Sequence, residues 1–223
     1  MKCLQLVRRR RVVLLAATVA GLGLGLGPLQ LAHADGYPAK PVQLVVPFPP
    51  GGAVDIVGRT ISKKLGDRLG QPIVVENKAG AGTVVGAAYV ANAPADGYTL
   101  LMSSNSPLVV NPAVTRNLPF DVTKDLMPIG LVGWTSFLIV VPPDFPANTL
   151  AEAIALFRAN PTRYIASNPG AGTFGNLVTE QIFRAVGIKM EQVPYRGSAQ
   201  AQPDLIAGRI VYMFDNLPSA LPQ

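Results

Sequence analysis

Two short glycine- and proline-rich stretches are the parts of this chain best equipped to hold a small anion. The first is Pro47-Phe48-Pro49-Pro50-Gly51-Gly52, and the second is Ser167-Asn168-Pro169-Gly170-Ala171-Gly172-Thr173. Each follows a strand-like run and opens onto a helix-like one. A helix start carries amides without intrahelical partners and about half a positive charge, so it attracts anions. Glycine there lets a ligand approach the backbone closely. One such loop from each half of the chain would clamp a small carboxylate by backbone N–H groups, without Arg or Lys. The same glycines also serve as ordinary strand-to-helix turns, and spacing alone does not separate the two uses.

Other polar residues fall where such a ligand would lie. Ser103, Ser104 and Asn105 follow the run Tyr98–Met102, and ligands of open α/β sheets gather at the carboxyl ends of strands. Asp55, in the first turn of its helix, reads as a dipole-satisfying cap or as a ligand contact. Asp215 ends a strand before Asn216-Leu217-Pro218 and either starts the next helix or accepts from a ligand N–H or hydroxyl. Gly170-Ala-Gly172-Thr-Phe-Gly175 matches the dinucleotide pattern G-x-G-x-x-G, with Glu191 near the place of a ribose-binding acid. Asn168-Pro169 stand between strand and first glycine, however, where that pattern needs an immediate tight turn. No dinucleotide is expected.

The single histidine, His33, and the single cysteine, Cys3, both lie in the first 34 residues. The chain beyond them has no means for Ser-His-Asp or Cys-His catalysis, a disulfide, or a His- or Cys-ligated zinc. No catalytic residue, metal or cofactor is expected. Trp134 reads as core.

The elements that must position these loops alternate between strand and helix, which predicts an α/β fold with mostly parallel sheets flanked by helices. Strands are expected at Val42–Val46, Ile73–Glu76, Tyr98–Met102, Gly130–Val141, Tyr164–Ser167, Met190–Val193 and Ile210–Phe214. The first helix carries Val54, Val57, Ile61, Leu65 and Leu69 at helical spacing, with Lys63, Lys64, Asp67 and Arg68 on its other face. Thr149-Leu-Ala-Glu152 is a capping box. Thr173 is placed to cap a helix with Phe174, Leu177, Val178, Ile182 and Val186 inward. Two blocks share one plan, strand, loop, helix, glycine, strand: one around Pro47–Gly52 and one around Asn168–Gly172.

Charge and hydropathy set the compartment. The chain has 19 Lys+Arg against 13 Asp+Glu, net +6. Lys2, Arg8, Arg9, Arg10 and Arg11 carry five of those charges; the remainder is nearly neutral, so no nucleic-acid partner is expected. After this basic start, Val12–Leu31 is apolar, broken by Gly21, Gly23, Gly25, Gly27 and Pro28. Ala32-His33-Ala34 then fits a signal-peptidase site. Residues 1–34 read as a signal peptide cleaved after Ala34, and the product as periplasmic.

Several blocks, in order, resemble one family. Tyr37-Pro-Ala-Lys-Pro-Val-Gln-Leu-Val-Val-Pro-Phe-Pro-Pro-Gly-Gly52, Gly70-Gln-Pro-Ile-Val-Val-Glu-Asn-Lys-Ala-Gly-Ala-Gly82, Ala95-Asp-Gly-Tyr-Thr-Leu-Leu101, Val193-Pro-Tyr-Arg-Gly197 and Met213-Phe-Asp-Asn-Leu-Pro-Ser219 are similar to the Bug (TctC-like) receptors. These are extracytoplasmic binding proteins of tripartite tricarboxylate transporters. The chain departs from their pattern at Ala53-Val54, where Gly-Thr is common, at Asn176, where His is frequent, and at Pro203, inside a helix.

The resemblance implies a two-lobed, type II-like periplasmic-binding-protein fold, with residues 35–131 in lobe 1 and 132–223 in lobe 2. It implies capture of a small carboxylate, or a related amide or aromatic acid, held by loop backbones rather than a salt bridge. Carried over by position, the site is Phe48, Pro50, Gly51, Gly52, Ser103, Ser104 and Asn105 from lobe 1. Lobe 2 contributes Ser167, Gly170, Ala171, Gly172 and Thr173, with Asp215 at the ligand's distal end. The partners implied are the permease subunits of the transporter; a receptor feeding a membrane sensor would use the same cleft, and an exported enzyme is the third reading. Relatives continue past the point corresponding to Gln223 and return to lobe 1. The expectation is therefore an incomplete lobe 1, with an unpaired edge and exposed apolar surface around Val42–Val46, and a monomer once completed.

Overall fold

The computed structural model describes residues 36–223; the leader, with Cys3, His33 and the cleavage site, lies outside the described residues. Val42–Val46 (β1) is followed by helix α1 (Ala53–Leu69), β2 (Ile73–Asn77), α2 (Val84–Ala91) and β3 (Thr99–Leu101). β1 pairs in parallel with β2 along its whole length and with β3 from Gln43 to Val45, giving the order β2-β1-β3. This corrects the expectation of an unpaired edge and exposed apolar surface at Val42–Val46 itself. Each crossover helix returns the chain to a different side of β1, so Val42–Val46 is central, and Val42, Val45 and Val46 are fully buried. The edges are β2 and β3.

Helix α1 lies on this sheet through small residues. Ala53, Asp55, Gly58 and Ser62 are buried, and a Cβ at Gly58 would stand 3.4 Å from Val46. Leu65 and Leu69, expected inward, are exposed instead. The apolar spacing marked the helix, while the backbone's close approach at Gly58 set which face turned in.

Past β3, Ser106–Val110 forms a π-type turn that runs into α3 (Asn111–Val114), and Asp121 caps the short α4 (Val122–Asp125) by accepting from the Thr123 amide. The long strand expected over Gly130–Val141 is only Phe137–Val140 (β4). Among the described residues no strand pairs with the residues before it, and an apolar run without a partner for its N–H and C=O groups does not become sheet. Trp134, expected in the core, is 90% exposed there.

The second half contains α5 (Leu150–Ala159), β5 (Ile165–Asn168), α6 (Phe174–Val186), β6 (Glu191–Pro194), α7 (Ser198–Ile206), β7 (Met213–Asn216) and α8 (Leu217–Ala220). β4 pairs antiparallel with β7 and β5 parallel with β6; a parallel bridge from Ala166 to Tyr212 joins the two pairs. Phe157, Tyr164, Phe183 and Tyr212 fill the core beneath, in edge-to-face contacts such as Phe183–Tyr212 at 4.9 Å. α6 turns Gly175, Thr179 and Phe183 inward rather than Leu177, which is exposed. Among the described residues no helix is long and apolar enough to cross a membrane.

The capping box holds as read. The Thr149 hydroxyl accepts from the Glu152 amide at 3.2 Å, and the Glu152 carboxylate accepts from the Thr149 amide at 3.2 Å. Thr149→Ala is expected to cost about 1 kcal/mol, and Thr149→Ser to restore most of it. Urea midpoints of the two variants check this.

Candidate functional site

The Pro47–Gly52 loop is fixed from two sides. Asp55, 3% exposed, accepts the Gly51 amide at 2.9 Å, the Asn77 side-chain amide at 2.9 Å and the Arg59 guanidinium at 3.0 Å. Asn77 also donates to the Phe48 carbonyl at 3.0 Å. Burial pushes the Asp55 carboxyl up, but hydrogen bonds from Arg59, Gly51 and Asn77 outweigh it and hold the group below the usual carboxylate range. Asp55 is thus a structural cap. It also takes the Gly51 amide, one of the donors the sequence offered to a ligand.

Gly52 caps α1, and no side chain satisfies the amides there. The N-terminus of α7 is similar: its cap is Gly197, again without a side-chain partner. The residues at these two helix starts lie against one another. A Cβ at Gly51 would stand 3.5 Å from Ala199, and one at Gly197 would stand 3.3 Å from Pro49. Gly197, which ends one of the motifs quoted above, is thus packed against the Pro47–Gly52 loop, a contact that residue spacing did not single out.

The second loop is built differently. The Asn168 side chain accepts the Gly170 amide at 2.9 Å, Thr173 donates its hydroxyl to the Gly170 carbonyl at 2.7 Å, and the Thr173 oxygen accepts the Asn176 amide at 3.3 Å. Ser167 and Thr173 are buried, Gly172 half-buried and Ala171 exposed. Gly170 and Gly172 have φ of 108° and 78°, the region that favours glycine. The Phe174 amide, first in α6, donates to the Ser106 hydroxyl at 3.0 Å. Asn111 donates to the Gly172 carbonyl at 2.7 Å and accepts from Thr83 at 3.1 Å.

Thr83 belongs to a run of left-handed residues, Ala81, Gly82 and Thr83, at φ 45°, 61° and 85°. A non-glycine residue so placed costs about 1–3 kcal/mol and persists only where its surroundings enforce it. Ala81, Thr83, Ser106 and Asn111 escaped the sequence reading because they are brought here by long-range packing. The available signal was the Gly80-Ala-Gly82 motif.

Of the other residues, Ser103 has a buried hydroxyl with no partner among the described residues. It lies two residues past β3, where a ligand or water would satisfy it. The Ser104 hydroxyl accepts the Ser106 amide at 3.3 Å, and Asn105 is exposed. Asp215, 1% exposed, accepts from Ser198, from Gln202 at 3.1 Å and from the Asn216 amide at 2.7 Å. It ties the start of α7 to β7. Grooves of about 640 and 750 Å³ lie elsewhere, beside α1 and α2, and include none of these loops.

The loops offer glycine-capped helix starts and, past β3, a buried hydroxyl without a partner among the described residues. Helix starts of this kind suit a small anion. Comparison with known proteins agrees in kind. The model of the tripartite tricarboxylate transporter family receptor matches residues 57–223. Protein BugT of Bordetella pertussis is 40% identical over 189 residues, 84% of this chain and 58% of BugT. The R. palustris protein Rpa4515, solved with adipate, superposes with a TM-score of 0.80 at 33% identity, covering 83% of this chain and 62% of its own. MatC of Rhodopseudomonas palustris, solved with bound malate, gives 0.78 at 30% identity over 83% of this chain and 63% of its own. The chain thus spans about three fifths of the length of these relatives, and the fold they share with it is the periplasmic-binding-protein fold.

Proposed function

This chain belongs to the tripartite tricarboxylate transporter receptor family, and from that premise we propose that it captures a small carboxylate in the periplasm for a transporter of that type. The observation that carries the reading is the pair of adjacent helix starts at Gly52 and Gly197, both capped by glycine without a side-chain cap bond. Uncapped amides in a half-buried loop favour an anion over water. The orphaned Ser103 hydroxyl supplies a further polar contact at the end of β3. Ligation falls to Phe48, Pro50, Gly52, Ser103, Ser104 and Asn105 on one side and to Ser167 and Ala171–Thr173 on the other, with the Gly51 and Gly170 amides held by Asp55 and Asn168. Asp215 acts behind this surface by orienting Ser198.

The protein binds rather than catalyses, and its membrane partners are permease subunits. Adipate and malate, the ligands of two relatives, are the first probes. A dicarboxylate panel followed by thermal shift and calorimetry is expected to raise Tm with at least one of them, by about 2.7 kcal/mol of stabilisation at 100-fold excess over Kd. Equal responses to the corresponding diamines, or none to any acid, would remove the reading.

A further inference from the structure

The carboxylate site leaves one set of buried polar contacts without a role. It joins residues that follow β2 and β3 to the loop before α6. Ser106 accepts the Phe174 amide, Asn111 donates to the Gly172 carbonyl, and Thr83 donates to Asn111. Thr83, Ser106 and Asn111 are 3%, 3% and 1% exposed. Gly82 lies so close to this loop that a Cβ on it would stand 2.2 Å from the Ala171 carbonyl oxygen. Backbone therefore meets backbone here, with polar groups rather than apolar side chains closing the contact.

That chemistry suits a contact that opens. Separating an apolar interface exposes hydrocarbon to water, whereas these donors and acceptors exchange one another for water at small net cost. The left-handed run at Ala81–Thr83 adds a second sign. A β-branched residue at φ 85° stays there only while its surroundings hold it, and the Asn111 oxygen is the partner that Thr83 finds.

We propose that Thr83, Ser106 and Asn111 form a latch that holds the loop before α6 against the first half of the protein without any ligand. Opening breaks the Ser106–Phe174 and Asn111–Gly172 bonds, lets the 81–83 run relax, and frees the Phe174 amide as an anion donor. Ser106 and an incoming carboxylate are then alternative partners for one amide. The latch rests on the reading of these loops as the ligand's seat, but it acts in the empty protein and is tested there.

The test uses carboxylate-free buffer. Hydrogen exchange over the peptide containing Phe174 is expected to be slow in the wild type and about tenfold faster in Ser106→Ala, with Ser106→Thr close to wild type. Spin labels at Lys64→Cys on α1 and Gln181→Cys on α6, with Cys3→Ser removing the native thiol, report the separation of the two halves. A single narrow distance is expected, broadened toward longer values in Ser106→Ala with Asn111→Ala. Should that pair fail to fold, the contrast between Ser106→Ala and Ser106→Thr decides alone. Unchanged exchange and an unchanged distance in Ser106→Ala would overturn the latch. Because no carboxylate is present, neither result depends on whether one binds.

Discussion

Gly172→Val is expected to weaken carboxylate capture by about 30- to 100-fold while the protein stays folded. Gly172 sits at φ 78°, and a Cβ there would lie 3.1 Å from the Asn111 side-chain nitrogen. A side chain in left-handed geometry costs about 1–2 kcal/mol. The valine methyls also block a ligand's approach to the loop amides, which forfeits about 1 kcal/mol more. Two to three kcal/mol correspond to roughly that fold-change. Both costs fall on the liganded arrangement, in which the loop keeps the left-handed φ at Gly172. Lys63→Ala and Lys64→Ala alter exposed residues of α1 that make no contact with either loop. They are expected to leave affinity within about threefold, the range of an exposed charge. Calorimetry with the tightest acid of the panel separates the cases. Loss of binding in the lysine variants, with Gly172→Val unaffected, would replace the backbone clamp with a charge-based site.

What could be read from residue order was the alternation of elements and the identity of the two loops. β1, α1 and β2, and the starts of α5 and α6, lie within a residue or two of where caps and periodicity put them. Those signals are local. Thr149 needs only Glu152, and Gly70 and Gly187 need only their own left-handed φ to end a helix. What failed depends on partners remote in the chain. Strand order was one such case: nothing within Val42–Val46 states that β2 and β3 lie on opposite sides of it. Gly130–Val141 was another, because strand formation requires a neighbour that its hydropathy does not reveal. The inward face of α1 was set by Gly58 and Ser62, small residues that hydropathy ranks below Leu65 and Leu69. At the site, the same division holds. Gly51, Gly52, Gly170 and Gly172 were visible as loop glycines; Ser106, Asn111 and Gly197 became meaningful only when packing set them opposite Phe174, Gly172 and Pro49.

Asp55→Ala is the other change expected to have a large effect, about 2–4 kcal/mol of stability at pH 7. The substitution removes the partner of the Gly51 amide, one acceptor of Asn77 and the ion-pair partner of Arg59. A buried donor left unsatisfied costs about 1–3 kcal/mol. Arg59 adds less than a buried cation would, because its side chain is 52% exposed and returns to water. The pH dependence follows from the depressed carboxyl. A group whose folded pKa lies below its unfolded value of about 3.9 contributes its full stability above that value and loses it as pH falls through the folded pKa. The gap between wild type and Asp55→Asn is therefore expected to be constant from pH 5 to 8 and to narrow below about pH 4. Urea unfolding at a series of pH values measures it. A gap that widens on acidification would mean that Asp55 is protonated in the folded protein, and the loop would then be held by something other than its charge. The variant also bears on the site. With Asp55 gone, Gly51 and Phe48 lose the anchors that hold the loop at the start of α1, so Asp55→Asn is expected to weaken carboxylate binding although Asp55 itself, buried behind the loop, does not touch the ligand.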